Sequence, residues 1–247
     1  MKSKLLYLFA MLLSFQSFSQ KKIGTQNINM TLIPSGESLY EGNKISVQAF
    51  YISNEITNKQ YRAFTDYAIQ HPNEGLSYND ASGKIHFMKY WVMQKDIIDS
   101  TVMEKAAGVN FKNYFINPAF DEYPVVGVSL NDAIWFCAWM MEEEKKLGHI
   151  TDALIRIPFA EEWYYAAQSS AFNRAEPQKY QGVTVGVKNQ FGLYHFTDNP
   201  DEYCETMYGK IFIMGDEKPQ EMKTDFDAIN KKSALVGFRI VQTSLEK

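Results

Sequence analysis

Cysteine is scarce: the 247 residues contain two, Cys137 and Cys204. Two thiols cannot staple a small scaffold, so stability has to come from a buried core, for which this length is ample. No cysteine lies near the amino terminus, and bacterial lipid attachment through an N-terminal thiol therefore has no acceptor. An excess of basic residues is also missing, with 25 lysines and arginines against 29 acids. Non-specific nucleic-acid binding relies on such an excess at phosphates and is not expected. Only four histidines occur, His71, His86, His149 and His195, none paired at helical i, i+3 or i, i+4 spacing. That removes the simplest helical metal site. No second long apolar run, internal repeat, low-complexity tract or Gly/Ser/Pro linker divides the chain.

What is present begins with Lys2 and Lys4, an apolar run from Leu5 to about Phe15, and then Ser17, Phe18, Ser19 and Gln20. A basic start, a hydrophobic middle and small residues at the exit mark a secretory signal peptide over residues 1–19. The run falls short of the roughly 20 apolar residues that span a bilayer. The remainder, residues 20–247, is expected to be one domain, exported to the periplasm or cell envelope and without a membrane span after cleavage. Cleavage removes two lysines and no acid, moving the formal charge from −4 to −6. An oxidising compartment permits a Cys137–Cys204 disulfide, but the helical spacing of Cys137 with Ala133, Ile134 and Met140 favours a buried apolar thiol.

Three helices are visible from their starts. Thr57 with Gln60 three residues on forms a capping box ahead of Tyr61, Phe64 and Ala68. Ser129 with Asp132 does the same for "LNDAIWFCAWMMEEEKK", which closes on Lys145, Lys146 and Gly148. The third, in "RIPFAEEWYYAAQ", has Glu161 and Glu162 at the positive end of the helix dipole and an apolar stripe of Trp163, Ala166 and Ala167. Its cap position holds Phe159, which has no side-chain oxygen. Strands are expected at "VQAFYI", "PVVGV", "KIFIM" and "GFRIVQ". Residues 72–122 and 172–190 show little periodicity, and loops of that length commonly carry function. The class is α+β with much irregular structure, to which an aromatic content of 15% is suited.

These segments also line up with a family. "FYISNEITNKQYRAF", "YPVVGVSLNDAIWFCAW", "IRIPFAEEWYYAA", "NQFGLYHFTDNPDEY" and "GFRIV" resemble, in order, five phrases of formylglycine-generating, or sulfatase-modifying factor, domains. "YFINPAFDEYPVVGV" is similar to a phrase of the branch found in gliding-motility and type IX secretion lipoproteins, although Asn117 stands where histidine is usual. The resemblance implies an irregular, loop-rich α+β fold related to C-type lectins. It also implies partners among envelope or secretion-machinery proteins.

The family's chemistry needs two neighbouring cysteines before the closing Gly-Phe-Arg strand, because paired thiolates hold Cu(I). None lies between Cys204 and Gly237. Copper-dependent formylglycine synthesis is therefore not expected, and no catalytic residue is assigned. Structural calcium remains an expectation: "DNPDEY" resembles the family's Gly-Asn-Val-Trp-Glu-Trp loop, which makes Asn199, Asp201 and Glu202 candidate ligands. Arg156, Glu162 and Arg239 match family positions that tie loops to the core. The leading expectation is an exported pseudoenzyme that serves as a binding or structural component. Two alternatives stay open: a metal-dependent oxidoreductase with replaced chemistry, for which His195 is the candidate ligand, and a glycan-binding module using the aromatic stretches "HFMKYW" and "FKNYF".

Overall fold

The computed structural model describes residues 19–40, 42–79, 85–89, 113–149, 153–168, 180–206, 208–215, 219–233 and 235–244. Residues 1–18 of the expected signal peptide, and part of each aromatic stretch just named, lie outside them.

Two sheets dominate. The larger is antiparallel and runs β1 (Gln20–Ile23), β2 (Ile28–Ile33), β5 (Phe50–Ser53), β13 (Val241–Ser244), β8 (Ala153–Arg156). The second runs β11 (Gln220–Met222), β10 (Ile211–Met214), β9 (Asp201–Glu205), β12 (Val236–Gly237), with β12 parallel to β9. Two hairpins stand apart, β3 (Gly36–Tyr40) with β4 (Asn43–Val47) and β6 (Gly75–Asn79) with β7 (Ile85–Lys89). The helices are α1 (Asn58–Gln70), α2 (Leu130–Lys146), α3 (Ala160–Ala167) and the short α4 (Phe226–Asn230). None of those described is long and apolar enough to cross a membrane.

Both expected capping boxes form. Thr57 Oγ1 accepts from the Gln60 amide at 3.1 Å while Gln60 Oε1 accepts from the Thr57 amide at 3.0 Å. Ser129 and Asp132 exchange the same bonds at 3.1 and 2.8 Å. Each box satisfies two amides that a helix start would otherwise leave bare. The apolar faces then meet in an aromatic cluster: Tyr61 stacks on Phe136 at 5.7 Å, and Phe64, Trp139 and Phe238 close around them. A second core gathers Trp163, Phe191, Leu193, Phe196 and Val241 behind α3.

Strand boundaries depart from the pattern read in the sequence. "PVVGV" forms only single bridges, Thr57 to Pro124 and Val128 to Ser233, because its backbone is shared between the start of α1 and the segment before β12. "VQAFYI" is divided: Val47 ends β4 and Phe50 begins β5. "GFRIVQ" is divided as well, since β12 joins one sheet and β13 the other. Phe238, Arg239 and Ile240, the crossing between them, are wholly buried. Residues 72–122 contain β6, β7 and a 3-10 turn at Pro118–Phe120, an element content their weak periodicity did not signal. The residues expected to form a calcium loop run into the first three residues of strand β9, and β8 was not foreseen.

Candidate functional site

The polar residues singled out by sequence fall into two groups, and the larger is built around Arg239. Its position in the crossing between the sheets puts the guanidinium where carbonyls from several loops converge. Nε and Nη2 each donate to Glu202, both at 2.6 Å, in a two-pronged pair. Nη2 also reaches the carbonyls of His195 at 2.9 Å and Tyr194 at 3.2 Å, and Nη1 reaches Ser53 at 3.3 Å. The cation lies 3.9 Å from the centre of the Phe196 ring. Glu202 further accepts from the Trp163 indole at 2.8 Å, which fixes α3 to β9. A fully enclosed charge pair is tolerated only when its remaining donors and acceptors are met, as they are here.

Beside this hub lies a second acid, Glu55, at the turn between β5 and α1. Its Oε2 accepts from Asn199 Nδ2 at 3.1 Å, and its Oε1 is buried with no hydrogen-bond partner among the described residues. Burial pushes the Glu55 carboxyl up to about 8, against the opposing pull of His195 and Arg239. His195 has its ring nitrogens 3.0 Å from Asp198 Oδ1 and 3.2 Å from the Gly182 carbonyl. Burial would lower its pKa, but the hydrogen bond to Asp198 and the charge of Glu55 leave it above the ordinary value. Neither ring nitrogen of His195 is open to a metal, which bears directly on its candidacy as a ligand.

The second group is smaller. Arg156 pairs with Glu162 through two bonds of 2.7 and 2.8 Å, and Glu162 Oε2 also accepts from the Phe159 amide at 2.8 Å. Half a capping box therefore survives without the cap oxygen. The Phe159 ring is half-buried beneath the Arg156 guanidinium, 3.6 Å from its centre. Cation–π contact thus replaces part of what a threonine hydroxyl would supply.

The calcium expectation can be tested on the oxygens themselves. Asp201 and Glu202 are neighbours in β9, so their side chains leave opposite faces of the sheet. Both Glu202 oxygens are engaged by Arg239, and Asn199 Oδ1 accepts from the Gln181 amide at 3.0 Å. As placed, the three residues do not fit one hard cation, which requires its oxygens to converge. Cys137 on α2 and Cys204 on β9 are both free thiols, with no disulfide between them. Each is buried and has its pKa raised by that burial, which disfavours the thiolate that copper ligation requires.

Sequence reasoning passed over three contributors. Glu55 stands in the quoted "SNEITN" but was not singled out. Asn189 shapes the turn before Tyr194: its Oδ1 accepts from Phe191 and Leu193 amides and its Nδ2 donates to the Ala166 carbonyl. Asn54 Oδ1 accepts from the Tyr194 amide at 3.2 Å. An acid enclosed between a strand and a capping box was the available signal for Glu55; for the two asparagines, only their place in the quoted phrases was.

This mixed, loop-rich fold fits that of formylglycine-generating enzymes. The chain belongs to the sulfatase-modifying factor enzyme 1-like domain family, whose profile matches residues 15–184. Among solved structures it resembles a crystal structure of CarF, with a TM-score of 0.53 at 15% identity over 89% of this chain and 99% of that one. At that identity the likeness concerns the fold alone. A search of curated proteins returns no match.

Proposed function

We propose that this chain is an exported, non-catalytic member of its family, serving as a binding or structural component of the cell envelope. The observation that carries the reading is the state of the two thiols. Formylglycine chemistry needs an accessible pair of thiolates, whereas Cys137 and Cys204 sit enclosed on separate elements and favour the protonated form. The polar residues at the family's motif positions are likewise committed to holding loops: Arg239 spans three carbonyls and Glu202, and Arg156 is taken up by Glu162. The signal-peptide pattern of residues 1–19 supports export. The "YFINPAFDEYPVVGV" phrase favours a partner in gliding-motility or type IX secretion machinery.

Two experiments test this. Copper-loaded protein incubated with a sulfatase-type cysteine peptide and oxygen should leave the peptide mass unchanged; conversion to the aldehyde would overturn the non-catalytic reading. Affinity capture of the tagged full chain from its native envelope should recover secretion or motility components, and recovery of none would remove the narrower assignment.

A further inference from the structure

We infer that His195 is carried as an imidazolium and latches segment 182–188 to the body of the protein, so that loss of its proton releases the segment. The inference is independent of the partner proposed above. Its basis is hydrogen-bond geometry. A neutral imidazole has one N–H and one lone pair, so it can donate in only one direction. His195 faces an acceptor in both: Asp198 Oδ1 lies 3.0 Å from Nδ1 and the Gly182 carbonyl lies 3.2 Å from Nε2. A backbone carbonyl cannot donate, and Asp198 is held below the usual carboxylate range by this same histidine, so it does not donate either. Only the doubly protonated ring satisfies both partners.

The ring is also placed to sense the segment. The His195 backbone is left-handed, with φ of 53°, which turns the side chain inward from its loop. Gly186 lies over it: a Cβ at that glycine would be 3.4 Å from His195 Cε1. Beyond this contact the segment carries Val185 and Val187, 53% and 87% exposed. It is also held at its base, where the Val183 amide donates to the Glu122 carbonyl at 2.9 Å and Gln181 pairs with Asn199, and by a turn in which the Val185 amide donates to the Gly182 carbonyl at 2.8 Å. The charged groups around the ring balance in favour of a cation. Asp198 faces it from its own loop as a carboxylate, Glu55 on the β5–α1 turn adds negative charge only as it ionises towards pH 8, and Arg239 opposes it from the crossing between sheets but is itself neutralised by Glu202. Tyr194 stacks at 5.8 Å from the ring, and the Lys188 ammonium of the segment lies over the Tyr194 ring at 5.5 Å.

When the proton leaves, the remaining N–H stays with the stronger acceptor, the Asp198 carboxylate. A lone pair then points at the Gly182 carbonyl, and that bond becomes a repulsion. Because closure and protonation are linked, the closing equilibrium weakens by up to about tenfold per pH unit between the open-state midpoint and the higher closed-state midpoint, and is flat above the latter.

The test uses the full chain labelled with 15N-histidine. At pH 7 both ring nitrogens of His195 should show imidazolium shifts, and amide-exchange protection of residues 182–188, corrected for intrinsic rate, should fall as the ring titrates. In His195→Gln, whose side chain does not titrate, protection of the segment should be weaker at pH 6 and flat with pH. A neutral His195 ring at pH 7 in the folded protein overturns the inference, and this reading needs no variant. Protection that does not follow the ring's titration overturns the latch.

Discussion

At the scale of single residues, the hub around Arg239 turns burial into a set of measurable liabilities. Replacing Arg239 with methionine leaves Glu202 enclosed without its counter-charge, and the loss should be about 3–5 kcal/mol. Arg239→Lys should recover little of it, since an ammonium cannot reach two carboxylate oxygens and three carbonyls at once. Urea denaturation of the two variants against the parent measures both. Glu55 behaves in the opposite sense. Its folded pKa is raised, to about 8, so its contribution is present at acid pH and is lost as pH rises through that value. Glu55→Gln, a neutral isostere, should therefore melt above the parent at pH 9.5. The difference should shrink as pH falls below 7; melting curves at several pH values would show whether the gain has this sign.

At the scale of elements, the three helix starts form a graded series. The boxes on α1 and α2 are complete, and Ser129→Ala should cost about 1 kcal/mol. The start of α3 keeps only the Glu162 half and relies on the contact between Arg156 and Phe159. Phe159→Thr should then be nearly neutral: a cap is worth about 1 kcal/mol, and the lost cation–π contact about 0.5–1 kcal/mol. Thermal denaturation of the two variants side by side distinguishes them, and a gain of about 1 kcal/mol or more in Phe159→Thr would show that the Phe159 ring contributes nothing. Strand β12 has a different constraint. A Cβ on Gly237 would sit 2.7 Å from the Val125 carbonyl, so Gly237→Ala should destabilise by forcing β12 away from that backbone. Those helices were legible because capping and a 3.6-residue apolar period are local properties. The strands were less so, since β8, β9 and β12 acquire their identity from partners up to dozens of residues away.

At the scale of the whole molecule, the two thiols report on closure of the fold. Cys137 lies in the core beneath α2 and Cys204 in the one behind α3. Neither should react with a charged, membrane-impermeant thiol reagent in the native protein, and both should react once it is unfolded in urea. Rapid labelling of either in native protein would contradict the enclosure on which the non-catalytic reading rests. Composition and local pattern determined by themselves that this is an acidic α+β chain with three capped or half-capped helices, that it carries the phrases of its family, and that no cysteine pair precedes the closing strand. These are statements about residue identity and near-neighbour spacing, to which a one-dimensional reading is suited. Only the tertiary structure decided where the polar residues spend their hydrogen bonds. It drew Glu202 to Arg239 rather than beside Asp201 and Asn199, placed Glu55 and His195 in one buried cluster, and kept the two cysteines apart as thiols. The physical reason is that burial and charge pairing depend on which distant segments the packed core brings together, and on which face of a strand each side chain leaves.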